Sequence, residues 1–514
     1  MPFFRAPGLG RIGFRTAIVL IALVAVVGGV LACSDESEPG PGPTPRPSQT
    51  STPGQTPTQM PASTPTATAS AAPTAGVLPT ATQPATPTTV TPSVSWTAVP
   101  SVTPAATPPA APTATPEEPG QTADSLLASI ERSVEVVRGI TTPPPVEHMF
   151  VDQAGMQERL AEELSDPEVV EQIVHESALL KLLGVIPQDS DLGAIYESML
   201  GGQVLGLYDP EKEQFFVLGD DRSGADSIDV EAQLTYAHEY VHRLQDAEFD
   251  LEALEERTSG DDMSIAVSAL VEGDATTAQT QYMIENFDFM DLVGLLESAV
   301  ASEAELPASP YFLQRGLEFP YVEGAAFVAE LVGAGGFEAV DGAYVDLPRS
   351  TEHVLHPEKF FADEVPVELD VPDDAMGSEW SVQVENVLGE FFLKTWLEAL
   401  GSGVAGVALA GWGGDAYAVF EDGAGGLALG VVIAWDTDPD ALEFFDAASD
   451  ALDASDEFAG SGAGLPGLLE AWAGPGGFVV MSRWSSDEYG DVVAIGIAPD
   501  GASSQALVTA LAGG

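Results

Sequence analysis

Apolar positions recur at helical spacing from Ala123 onward (SLLASIERSVEVVRGI), stop over residues 141–145, and return over 156–183. This is the three-to-four-residue period of helices that bury one face. The pattern then shortens. In QVLGLYDPEKEQFFVLGD, residues 203–208 and 214–218 are rich in β-formers, and Asp209-Pro210-Glu211-Lys212 supplies the turn between them. Asp229 is placed to cap a helix running to about residue 248. Further helical periods cover 262–283, 287–302 and 321–331. Toward the end, strand-like runs at 416–420 and 428–435 precede a helical run at 438–452. Strand-like runs at 478–484 and 491–497 then precede a closing helix at 503–511. The fold class predicted is α+β, with a large domain at 123–400 and a small ββαββα domain at 401–514.

The first quarter of the chain carries no such periodicity. Arg5, Arg11 and Arg15 precede an uncharged apolar run over 16–31, which ends at Val30-Leu31-Ala32-Cys33. The run is short for a membrane span and suits a secretory signal. Small residues before a cysteine at this spot resemble the bacterial lipobox, although Leu31 departs from its usual small middle residue. The resemblance implies cleavage before Cys33 and a lipid on its thiol, making residues 1–33 a lipoprotein signal peptide. An uncleaved anchor is the alternative; both put the remainder outside the cytoplasm, because the arginines come first. Residues 34–122 are Pro-, Thr- and Ser-rich with few large apolar side chains, too few to offset the entropy of ordering the chain. They read as an extended stalk.

Charge narrows the partners. The chain has 80 acidic against 17 basic residues and a net charge of −63. Only Asp35, Glu36, Glu38, Glu117 and Glu118 lie before residue 123, so the acidity belongs to the folded part. Such a surface repels nucleic acid and anionic head groups, so no nucleic-acid partner is expected, and the membrane is reached only through the lipid anchor. Cys33 is the single cysteine, which excludes an intrachain disulfide.

The chemistry lies in His238-Glu239-Tyr240-Val241-His242. On a helix, His238 and His242 project from one face a turn apart, where two imidazoles can reach one Zn²⁺. Glu239 sits about 100° round the helix, beside the metal and free to move a proton. The chain has six histidines, which makes a chance match rare. A third ligand is expected, and Glu272 in AVSALVEGDATTAQ is the candidate; Ala266, Ala269 and Gly273 would let its helix approach closely. Asp246, one turn beyond His242, could accept a hydrogen bond from a ligand imidazole. His353, His356, Tyr321 and Tyr344 are candidates for stabilising a developing oxyanion.

The order HExxH, short connection, helix with Glu resembles the gluzincins, the thermolysin-like metallopeptidases. That resemblance implies a zincin-like catalytic domain: a small β-sheet, an active-site helix and a helical second lobe. It makes Glu272 the third zinc ligand and Glu239 the general base in hydrolysis of a peptide or protein substrate. It also suggests that the strand at 214–218 pairs with an extended peptide, and that residues 287–331 wall the cleft. In the thermolysin-like pattern an Asp follows the ligand Glu by four residues; here that position is Thr276, and Asp274 is expected to face elsewhere. The metzincin pattern fails, because Gln245 and Glu248 stand where its glycine and third histidine belong. A wider resemblance over about 200–440 is to uncharacterised exported bacterial HExxH proteins. A surface binding or adhesion module with a structural or vestigial metal site, and hydrolysis of a non-peptide amide, are the alternatives. Trp412-Gly413-Gly414-Asp415 reads as a tight turn packing an indole.

Overall fold

A computed structural model describes residues 122–513, apart from 142–147, 201–205, 210–213, 219–227, 259, 304–308, 461–468 and 487–488. The basic leader, Cys33 and the stalk up to residue 121 lie outside the described residues. No helix among the described residues is long and apolar enough to cross a membrane.

The first half is mostly helical. Helices α1 (Ala123–Arg138), α2 (Gln153–Leu164), α3 (Pro167–Leu182) and α4 (Leu192–Leu200) open it. The expected 156–183 helix is thus two, divided where Asp166 caps the second and Pro167 occupies its first turn. Strands β1 (His148–Val151), β2 (Gly206–Asp209) and β3 (Gln214–Leu218) form a small sheet in the order β1-β3-β2. β3 runs parallel to β1 and antiparallel to β2, with Tyr208 opposite Phe215.

Helix α5 (Val230–Phe249) begins at Asp229, whose carboxylate accepts the Ala232 N–H at 2.9 Å. Every residue from Leu234 to Gln245 is buried, so the helix runs through the interior of the domain. Short α6 (Leu251–Arg257) leads to α7 (Asp261–Asn286), followed by α8 (Phe289–Glu303) and α9 (Tyr311–Gly335). α9 starts ten residues before the expected 321 and carries Pro320 inside it. α7 and α9 touch backbone to backbone. A Cβ on Gly273 would meet the Gly324 carbonyl oxygen at 2.2 Å, and one on Gly324 would meet that of Ala269 at 2.3 Å. Helices α10 (Phe337–Val345), α11 (Thr351–Leu355) and α12 (Pro357–Phe361) complete this half.

The second half is built on a seven-stranded antiparallel sheet of order β4-β5-β6-β10-β9-β8-β7. Its strands are β4 (Trp380–Asn386), β5 (Trp412–Asp422), β6 (Leu427–Trp435), β7 (Ala459–Gly460), β8 (Leu469–Gly474), β9 (Gly477–Ser486) and β10 (Gly490–Ala498). Alternate residues divide between two cores. Tyr417, Val419, Val431 and Ile495 pack toward α13 (Gly389–Ala399) and α15 (Asp438–Ala454), while short α14 (Ala405–Ala408) lies between those two helices in the chain. Ala418, Phe420, Val432 and Ala494 face α16 (Gly501–Ala512).

The strands expected at 416–420, 428–435, 478–484 and 491–497 and the helices expected at 438–452 and 503–511 occur as β5, β6, β9, β10, α15 and α16, but β7 and β8 stand between α15 and β9, so the order is ββαββββα and not the expected ββαββα. The boundary at 400/401, however, does not separate two cores. The sheet starts at Trp380, and the core on its α13 side continues into Ile173 and Leu180 of α3 and Tyr196 of α4. β4 is an edge strand with Val384 its only buried residue. Residues 412–415 are not the expected tight turn but the start of β5, with a register shift between Trp412 and Gly414; Trp412 does pack as a buried indole, its Nε1–H donating to Asp415 at 3.0 Å. Asp415 also accepts the N–H groups of Leu388 and Gly389, which ties the start of α13 to β5.

Candidate metal centre

Three side chains from two buried helices converge. His238 and His242 lie a turn apart on α5, and Glu272 comes from the middle of α7. His238 Nε2 is 3.1 Å from His242 Nε2 and 3.1 Å from Glu272 Oε2, and His242 Nε2 is 3.4 Å from the same oxygen. All three are buried. A tetrahedral zinc with ligands at 2.0–2.1 Å holds them about 3.3 Å from one another. Two imidazole nitrogens and a carboxylate oxygen at these spacings therefore fit such a cation in size and in chemistry. Burial would raise Glu272, but His242 and His238 hold its carboxyl down at about 2. Burial works against a charge on His242 too, and Glu272 nevertheless carries it up to about 9; His238, the more enclosed ring, is pushed down by its burial.

Glu239 stands beside this triangle. Its Oε2 accepts the backbone N–H of Tyr208 on β2 at 2.8 Å, while Oε1 is buried without a hydrogen-bond partner among the described residues. Burial raises its carboxyl to about 7; His242 opposes that rise and Glu272 adds to it. A carboxylate poised near neutrality beside a candidate cation site can both take and return a proton. The buried ring of Tyr321 from α9 lies 6.1 Å from the His238 ring, centroid to centroid.

Other expected residues go elsewhere. Asp246 does not reach a ligand imidazole: it accepts the Tyr208 hydroxyl at 2.8 Å. The hydrogen bond expected of it is made by Gln245, whose Oε1 is 2.8 Å from His242 Nδ1. Asp274 is wholly buried and faces this network, receiving Gln245 Nε2 at 3.0 Å, Arg138 Nε at 2.7 Å and the Tyr344 hydroxyl at 2.9 Å. Tyr344 thus serves Asp274 and is not aimed at the triangle. His356 pairs with Glu390 at 2.9 Å, and His353 lies 3.0 Å from the Glu364 carbonyl, so both stabilise the α11–α13 region. The 214–218 strand cannot receive a peptide, because β1 and β2 occupy both its edges.

A second group of acids, Glu352, Glu364 and Asp436, has the spacing of a cation site. The chain fills it with its own cation: Lys359 Nζ lies 3.0 Å from Glu364 and 2.9 Å from Asp436, and it also bonds Glu352.

Residues 380–506 match the model of a family described as Domain of unknown function (DUF8575). That stretch covers the seven-stranded sheet and the start of α16, and excludes all three residues of the triangle. No curated protein and no solved structure matches the chain.

Proposed function

We propose that this chain is a zinc metallopeptidase of zincin-like fold, exported and held at the cell membrane through Cys33, that hydrolyses peptide bonds of a protein or peptide substrate. The observation that carries the reading is the convergence of His238 Nε2, His242 Nε2 and Glu272 Oε2 within 3.4 Å, with Glu239 alongside. His238, His242 and Glu272 hold the cation. When bound, zinc supplies Lewis acidity to a carbonyl and to a water. Glu239 is the general base: Tyr208 pins one oxygen, and the other takes the proton of the attacking water and returns it to the leaving amine. The acidic surface repels polyanions and favours cationic stretches of substrate.

The test is elemental analysis of the purified full chain beside His242→Ala, followed by digestion of a peptide library. About one zinc per chain, lost in the variant together with cleavage, supports the reading. A chain that neither carries nor takes up zinc refutes it.

A further inference from the structure

Behind His242 lies a buried polar chain that crosses four helices. Gln245, one turn further along α5, is completely enclosed. Its Nε2 donates to the Val271 carbonyl at 2.9 Å and to Asp274 Oδ2 at 3.0 Å, both on α7. Asp274 is fixed in turn by Arg138 at the end of α1 and by Tyr344 of α10. Arg138 is 1% exposed; it also bonds Asp341 and lies under the Phe337 ring at 4.8 Å.

The amide can sit only one way. Turned over, its oxygen would face a carbonyl and a carboxylate, two acceptors with no proton to offer. Oε1 must therefore face His242, and an amide oxygen can only accept. His242 consequently carries a proton on Nδ1 and turns Nε2 toward Glu272 and His238. His238 has no matching support, since its Nδ1 is without a hydrogen-bond partner among the described residues.

From this geometry we infer that Gln245 is a positioning residue that fixes the tautomer and the ring plane of His242, with the Arg138–Asp274 pair clamping the amide. The inference rests on the proposed zinc site and adds to it a neutral amide where a carboxylate or a carbonyl commonly supports a ligand imidazole. The amide cannot take the Nδ1 proton, so the ring stays neutral as a ligand, and the charge of Asp274 is spent on Arg138.

Two measurements on the full chain test it. Nitrogen-edited NMR of the histidine rings should find a slowly exchanging proton on His242 Nδ1 in the wild type, with or without zinc. Zinc affinity, read by chelator competition, should fall about 10- to 100-fold in Gln245→Met, a substitution close in volume. A wild-type protein with no protected Nδ1 proton overturns the inference, and this arm needs no variant to fold. A folded Gln245→Met that binds zinc as tightly as the wild type overturns it while leaving the zinc site intact. Failure of the wild type to take up zinc at all refutes instead the reading on which the inference rests.

Discussion

The backbone N–H of Tyr208 donates to Glu239 Oε2 at 2.8 Å, so the edge strand of the small sheet holds one oxygen of the proposed base and leaves the other to react. An amide at position 239 can present its oxygen to the same N–H, which keeps the strand docked. Glu239→Gln is therefore expected to fold and to bind zinc with wild-type stoichiometry, while peptide cleavage falls by about 10²–10⁴-fold. Metal analysis and a cleavage assay on one preparation decide this. Wild-type turnover in the zinc-loaded variant would remove Glu239 from the role.

Asp246 and Gln245 are neighbours in sequence with different duties, and substitution should separate them. Asp246 binds the Tyr208 hydroxyl at 2.8 Å and makes no hydrogen bond to a ligand imidazole. Asp246→Ala is expected to cost about 0.5–1.5 kcal/mol in stability through that lost bond, with zinc affinity changed less than about twofold. Chelator competition beside urea unfolding reads both quantities. A tenfold loss of zinc affinity would mean that the hydroxyl–carboxylate contact supports the site after all.

What the sequence revealed was what is local. A capping Asp229 and two histidines four residues apart define α5 and its proposed metal-binding face with no knowledge of the rest of the fold. Glu272 was singled out by the resemblance to the gluzincin order, and the small residues around it marked a helix able to approach closely. The supports of the site were not legible, because they depend on partners 26–136 residues away: Gln245 with Val271, Tyr208 with Glu239, and Arg138 with Asp274. Asp274 lies about 200° round α7 from Glu272, which hides that a glutamine side chain on the neighbouring helix can reach it. β1 was missed for another reason. Four residues are too few for an alternating pattern, and they follow a proline run that reads as a simple break.

The crossing of α7 and α9 sets the position of Glu272, which makes Gly273 a sensitive point. A methyl group there would overlap backbone atoms of Gly324 and Ala325 at 2.2–2.9 Å, and backbone cannot rotate aside as a long side chain can. Gly273→Ala is expected to destabilise the protein by about 1–3 kcal/mol, the usual range for overpacking, and to weaken zinc binding by displacing the adjacent ligand. Gly324→Ala overlaps Ala269, one turn from Glu272, and should cost similar stability with a smaller effect on the metal. Unchanged thermal stability in both variants would contradict a helix contact this close.

Away from the metal, Glu176 on α3 provides a test in pH. Its side chain is buried and accepts the Tyr196 hydroxyl at 2.7 Å. Burial raises its carboxyl to about 8, the Tyr196 hydrogen bond opposes the rise, and the charge of Asp261 adds to it. The folded value therefore lies above the unfolded value of about 4.5. Below pH 4.5 both states hold the proton, and the contribution to stability is complete. Between 4.5 and 8 the unfolded chain releases the proton while the folded chain keeps it, and stability declines by up to about 1.4 kcal/mol per pH unit. Glu176→Gln keeps an acceptor for Tyr196 and has nothing to ionise. Its stability relative to the wild type should therefore grow from pH 4.5 to pH 8 by an amount on the order of a few kcal/mol. Subtracting the two proteins' thermal unfolding free energies at each pH cancels every other titrating group. A difference that stays flat across that window would mean that Glu176 is charged in the folded protein.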